Sequence, residues 1–91
     1  MTQIEIYTTV KKCAEEILQQ HNNRLIITPQ SDISKDLDFD YIDKIKFYSL
    51  IENKLQVDFN EMEIEALDTI EEIIYLSLSK LETLQTTKAN G

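Results

Sequence analysis

Glycine and proline are almost missing from this sequence of 91 residues, which has one of each, Gly91 and Pro29. Tight hairpins depend on residues that tolerate positive φ, so with the best of these absent an all-helical fold is expected. Cysteine is just as scarce: Cys13 stands alone and cannot close an internal disulfide. Basic residues are outnumbered, with 9 Lys and Arg against 17 Asp and Glu, for a net charge of −8. That excess repels nucleic acid and anionic membrane surfaces and favours protein partners with basic patches. No apolar run approaches the roughly 20 residues that a membrane span needs. The opening MTQIEIYTTVKK lacks the basic start, apolar run and cleavage site of an export signal, so a cytoplasmic location is expected.

What is present reads as one small domain over residues 1–84, with 42% hydrophobic residues to build a core and a flexible tail, QTTKANG, over 85–91. Ile6, Tyr7, Val10, Cys13, Ala14, Ile17 and Leu18 recur at steps of three and four and form the stripe of a first helix ending near QQHNN. The stretch from there to Asp40 has no sustained period. Leu25, Ile26, Ile27, Ile33 and Leu37 are expected to drop onto the core and make it a packed loop.

A second helix begins at Asp40, whose carboxylate suits an N-cap, with Asp43 in the first turn, where exposed amides favour negative charge. Its apolar residues, Ile45, Phe47, Tyr48, Leu50, Ile51 and Leu55, span more than half its circumference. In FNEME, Asn60 can cap, Glu63 can reach back and Phe59 can staple onto Ile64, which marks a short third helix. Thr69 and Glu72 form another capping box, and Ile70, Ile73, Ile74, Leu78 and Leu81 carry a fourth helix into the low eighties.

Residues 34–76, SKDLDFDYIDKIKFYSLIENKLQVDFNEMEIEALDTIEEIIYL, resemble the second to fourth helices of acyl carrier proteins. Asp36 and Leu37 match the Asp-Leu that precedes the attachment site. Asp40, Ile42 and Asp43 match the Asp-Ser-Leu-Asp motif at three of four places. Glu52 and Leu55 fit the end of helix two, Phe59 and Asn60 replace the usual Ile-Pro, and Asp68, Thr69 and Ile70 resemble the Thr-Thr-Val start of helix four. Residues 4–33 agree in length and apolar spacing alone. The resemblance implies a four-helix bundle with a long first loop and a short third helix.

It also implies where a prosthetic arm would sit, and there the serine is missing: Tyr41 occupies the phosphopantetheine-attachment position. A phenol oxygen stands about 6 Å from its Cα, several ångströms beyond a serine oxygen. A transfer that needs reacting atoms within roughly 3 to 3.5 Å does not tolerate that displacement. No phosphopantetheine is therefore expected on Tyr41. Ser31, Ser34, Ser49, Ser77 and Ser79 lack the motif's context.

The docking helix departs from the family as well. Carrier proteins present an acidic second helix to basic enzyme patches, whereas residues 40–56 set Asp40, Asp43 and Glu52 against Lys44, Lys46 and Lys54. Phe39, Tyr41, Ile42 and Tyr48 are candidates for an aromatic-rich binding patch, flanked by Lys44 and Lys46. Seven acidic residues fall within residues 58–72 with no base among them, so Glu61 and Glu65 are candidates for contact with a basic partner, or simply a solvated surface. His21 is expected to be a polar helix end and Cys13 a core residue. No phosphate loop, metal cluster or catalytic set is legible, so no enzyme is expected.

The expectation is thus an acyl-carrier-like protein without its arm, binding enzymes of fatty-acid, polyketide or peptide biosynthesis through protein contacts. Two other readings remain: a working carrier modified on an unconventional residue, and a helical adaptor that shares only the fold.

Overall fold

The computed structural model describes the backbone of residues 1–90 and the side chains of residues 1–83. Among them the regular structure is four helices and no strand: α1 (Gln3–Gln20), α2 (Tyr41–Leu55), α3 (Glu61–Ala66) and α4 (Ile70–Asn90). The expected flexible tail, 85–91, falls on residues whose side chains, and for Gly91 the backbone too, lie outside the described ones.

α1 forms because its apolar residues share one stripe, and Ile6, Val10, Cys13, Ala14, Ile17 and Leu18 are all buried, with Tyr7 half-buried beside them. Its start is fixed by a capping box. The Thr2 side chain accepts from the Glu5 amide at 3.1 Å, and Glu5 accepts from the Thr2 amide at 3.0 Å. Its end shows how the chain manages without glycine. Asn22 turns left-handed at φ 55°, and the Asn22 and Asn23 amides donate back to the carbonyls of Gln19 and Leu18. Asparagine tolerates that conformation better than most residues because its short polar side chain bonds locally.

The 21–40 loop is held by both side chains and backbone. Ile27, Ile33, Leu37 and Phe39 are buried. The Ile33 amide donates to Asp68 O at 2.9 Å, the Ile70 amide to Ser31 O at 3.0 Å and the Glu71 amide to Pro29 O at 2.8 Å. An isolated antiparallel bridge, Asp32 to Thr69, sits among these bonds. Buried backbone polar groups need such partners, so the loop can be long without being loose. Two of the five expected anchors are not anchors: Leu25 is exposed and Ile26 is 88% exposed. Of Leu25, Ile26 and Ile27, Ile27 alone reaches the core, at 3% exposure.

α2 buries Phe47, Tyr48, Ile51 and Leu55, while Leu50 is half-buried and Ile45 sits at the edge of exposure. The buried face is therefore narrower than the sequence pattern suggests. α3 carries both expected devices, since Asn60 and Glu63 cap each other's amides and Phe59 and Ile64 are both in the core. Lys80 of α4 clamps it, pairing with Glu63 at 3.0 Å and standing 5.4 Å from the Phe59 ring centre. α4 begins with the Thr69 and Glu72 capping box and buries Ile70, Ile73, Ile74 and Ser77, whose hydroxyl donates to Ile73 O at 2.7 Å. α1 packs against both α2 and α4, and α3 against α2.

Candidate functional site

The start of α2 is built from the loop end, α1's last turn and the first residues of α2 itself. Asp40 is the N-cap. Its side chain accepts from the Asp43 amide at 2.8 Å, and Asp43 Oδ2 accepts from the Asp40 amide at 3.3 Å. Tyr41 is then the first helical residue. Its side chain is 61% exposed, with Ile42 beside it at 62%. Ile45, one turn on, widens this into a small apolar patch.

Asp43, the residue after Ile42 along the helix, is buried yet charged. Its Oδ1 meets His21 Nε2 at 2.9 Å, joining the end of α1 to the start of α2. The His21 hydrogen bond, and then the Asp40 amide, hold the Asp43 carboxyl below the usual carboxylate range, against burial, which pushes the other way. Leu18, His21, Leu37, Asp38, Asp40 and Asp43 line a polar hollow of about 350 Å³ at this junction.

The candidate residues separate into three groups. Tyr41, Ile42, Lys44 and Lys46 come together around the Asp40 cap, with Lys46 exposed and Lys44 partly covered. Lys44 lies near enough to Asp32 to help lower that carboxyl, whose main support is the Lys35 amide. Phe39 and Tyr48 do not join this surface. Both are core residues, Phe39 edge-on to Phe47 at 5.5 Å and Tyr48 against Phe59 at 5.1 Å, so the expected aromatic patch reduces to Tyr41 with its two isoleucines. Glu61 and Glu65 lie on α3, exposed and on a different element from the α2 start.

Asp43 stands in the first turn of α2, as its sequence position implies, but its burial and its bond to His21 are not legible in the sequence. The signal available was only that His21 closes α1 and Asp43 opens α2. Nothing local says that the two ends meet. Cys13 is buried, and burial pushes its thiol up to about 11, which removes it from nucleophilic chemistry near neutrality. Among the described residues, no group of three or more His, Cys, Asp and Glu could hold a metal ion, and no helix is long and apolar enough to cross a membrane. No protein-family model matches the chain, and no curated protein matches it.

Proposed function

We propose that this chain is an acyl-carrier-like binding module that carries no phosphopantetheine and docks onto cytoplasmic enzymes of fatty-acid, polyketide or peptide biosynthesis. The observation that carries the reading is the placement of Tyr41. It is the first residue of α2, directly behind the Asp40 cap, with an exposed side chain, at the place where the resemblance calls for a serine. The long loop between α1 and α2 and the six residues of α3 support the same kinship.

An exposed tyrosine beside two isoleucines suits recognition better than transfer chemistry. Aromatic side chains supply a disproportionate share of binding energy at interfaces, and here the ring is presented by a capped helix end rather than by a loop. Lys44 and Lys46 set the charge that a partner meets, unlike the acidic helix that an ordinary carrier offers. The serines give no substitute attachment point. Ser31 and Ser77 are buried and hydrogen-bonded, and Ser34, Ser49 and Ser79 do not open a helix.

Coexpression with a broad-specificity phosphopantetheinyl transferase, followed by intact mass measurement, tests the first half of the proposal. The mass is expected to stay that of the bare chain, and a gain of one phosphopantetheine on any residue overturns it. Affinity capture from the native host tests the second half: biosynthetic enzymes are expected in the catch, and loss of that capture in Tyr41→Ala ties it to the α2 start.

A further inference from the structure

A second surface lies where the starts of α1 and α4 meet the loop. Ile4, Tyr7, Pro29, Ile74 and Tyr75 give a hollow of about 300 Å³ its apolar lining, and Glu71 contributes a carboxylate. The backbone creates this place. The Glu71 amide holds Pro29 O at 2.8 Å, which sets the loop against the first turn of α4, and α1 packs along the same helix. Tyr7 is steadied at the rim, its hydroxyl 3.5 Å from Ile27 O.

Two large apolar side chains lining this hollow are left in water: Ile4 is 78% exposed and Tyr75 is 53% exposed. Single exposed apolar residues are ordinary on any surface. Two that share one concavity make a site for an inserted side chain. The volume is at the lower limit of the roughly 300 to 1,000 Å³ typical of small-molecule pockets, which suits one side chain of a partner better than a whole ligand.

Charge selects the partner. Tyr75 Oη donates to Glu71 Oε1 at 3.3 Å, so the carboxylate is held beside the exposed ring. Asp68 and Glu72 precede and follow it in the same turn region, and residues 58–72 contain no lysine or arginine. On α1 the nearest base after Tyr7 is Lys11, a turn farther along. The hollow thus sits at the edge of the most acidic stretch of an acidic chain.

We propose that this hollow docks a basic amphipathic peptide segment of a partner protein. One large aliphatic or aromatic side chain enters between Ile4 and Tyr75, and a lysine or arginine next to it faces Glu71. The surface is separate from the α2 start and does not depend on what binds there.

The full chain, labelled with ¹⁵N, would be titrated with a synthetic amphipathic peptide of leucine and lysine, with a lysine-only peptide and a leucine–glutamate peptide as controls. Saturable shifts are expected at the amides of Ile4, Tyr7, Ile74 and Tyr75 with the leucine–lysine peptide. Affinity is expected to fall roughly tenfold in Tyr75→Ala and in Glu71→Gln, the size of loss typical of an interface anchor. Both variants keep the buried core intact, and Met62→Ala, an exposed position on α3, should bind as the parent does. Shifts confined to α3, equal binding of either control peptide, or the same shifts on concentrating the protein alone, which would mean a second copy fills the hollow, each overturn the proposal.

Discussion

His21 Nε2 and Asp43 Oδ1 stand 2.9 Å apart, tying the residue that caps the end of one helix to the first turn of the next across 22 positions of sequence. The bond fixes the first turn of α2, the turn from which Tyr41 and Ile42 are presented.

Acid should therefore loosen this junction. Asp43 titrates below its ordinary value of 3.8 in the folded chain, because His21 and the Asp40 amide favour its charged form. Its contribution is present above that ordinary value and is lost as pH falls through the lowered one. Asp43→Asn is expected to cost about 1 kcal/mol near neutrality and to flatten the acid limb of a stability profile measured by urea melts. An unchanged acid limb would show that other carboxylates set it.

Tyr48 offers the opposite case. Its hydroxyl is buried with no hydrogen-bond partner among the described residues, and burial, helped by the charges of Glu72 and Asp68, raises its phenol above the ordinary value of 10.0. A group raised on folding stabilises below its unfolded value and loses that contribution as pH climbs. Tyr48→Phe should leave the melting temperature unchanged or raise it, by up to about 1 kcal/mol in stability, and should reduce unfolding above about pH 10. A clear loss of stability would mean that the hydroxyl has a partner in solution.

Gln56 closes α2 in a left-handed conformation at φ 57°, which a side chain with a Cβ disfavours. Gln56→Gly is expected to gain about 0.5 to 1 kcal/mol in chemical denaturation, because relief of the left-handed penalty exceeds the added backbone freedom of the unfolded chain. The gain is trimmed by loss of the bond from Gln56 Nε2 to Asn53 O at 2.6 Å.

The loop should behave as core. Ile33→Ala is expected to cost about 2 to 5 kcal/mol, whereas Ile26→Ala, on the same loop but facing solvent, should change stability by less than about 0.5 kcal/mol. Equal effects in thermal melts would contradict the packing of this segment.

Tyr41→Ser recreates Asp-Ser-Ile-Asp at an exposed helix start and should not disturb folding. Transferase modification of this variant is expected to stay poor until Lys44 and Lys46 are also replaced by glutamate, as followed by intact mass. Efficient modification of the single variant would remove the role assigned to those lysines.

Much of this architecture was legible along the chain. The stripe from Ile6 to Leu18 and the capping pairs at Asn60 with Glu63 and Thr69 with Glu72 are local patterns, each requiring residues no more than a turn or so apart. The box of Thr2 with Glu5 is an equally local pattern, three residues apart. The candidate site was less legible. Phe39, Tyr41, Ile42 and Tyr48 cluster in sequence, but helical rotation and the path of the loop send Phe39 and Tyr48 inward and leave the other two outside.

The sequence by itself determined that the chain is helical, where its helices start, and that Tyr41 opens the second of them, because periodicity and capping depend on short-range geometry. Only the tertiary structure decided that His21 meets Asp43, that Ile26 faces water while Ile27 does not, and that Ile4 and Tyr75 share a hollow with Glu71. Those outcomes depend on how separate elements pack, and no local spacing encodes which helix ends will face each other.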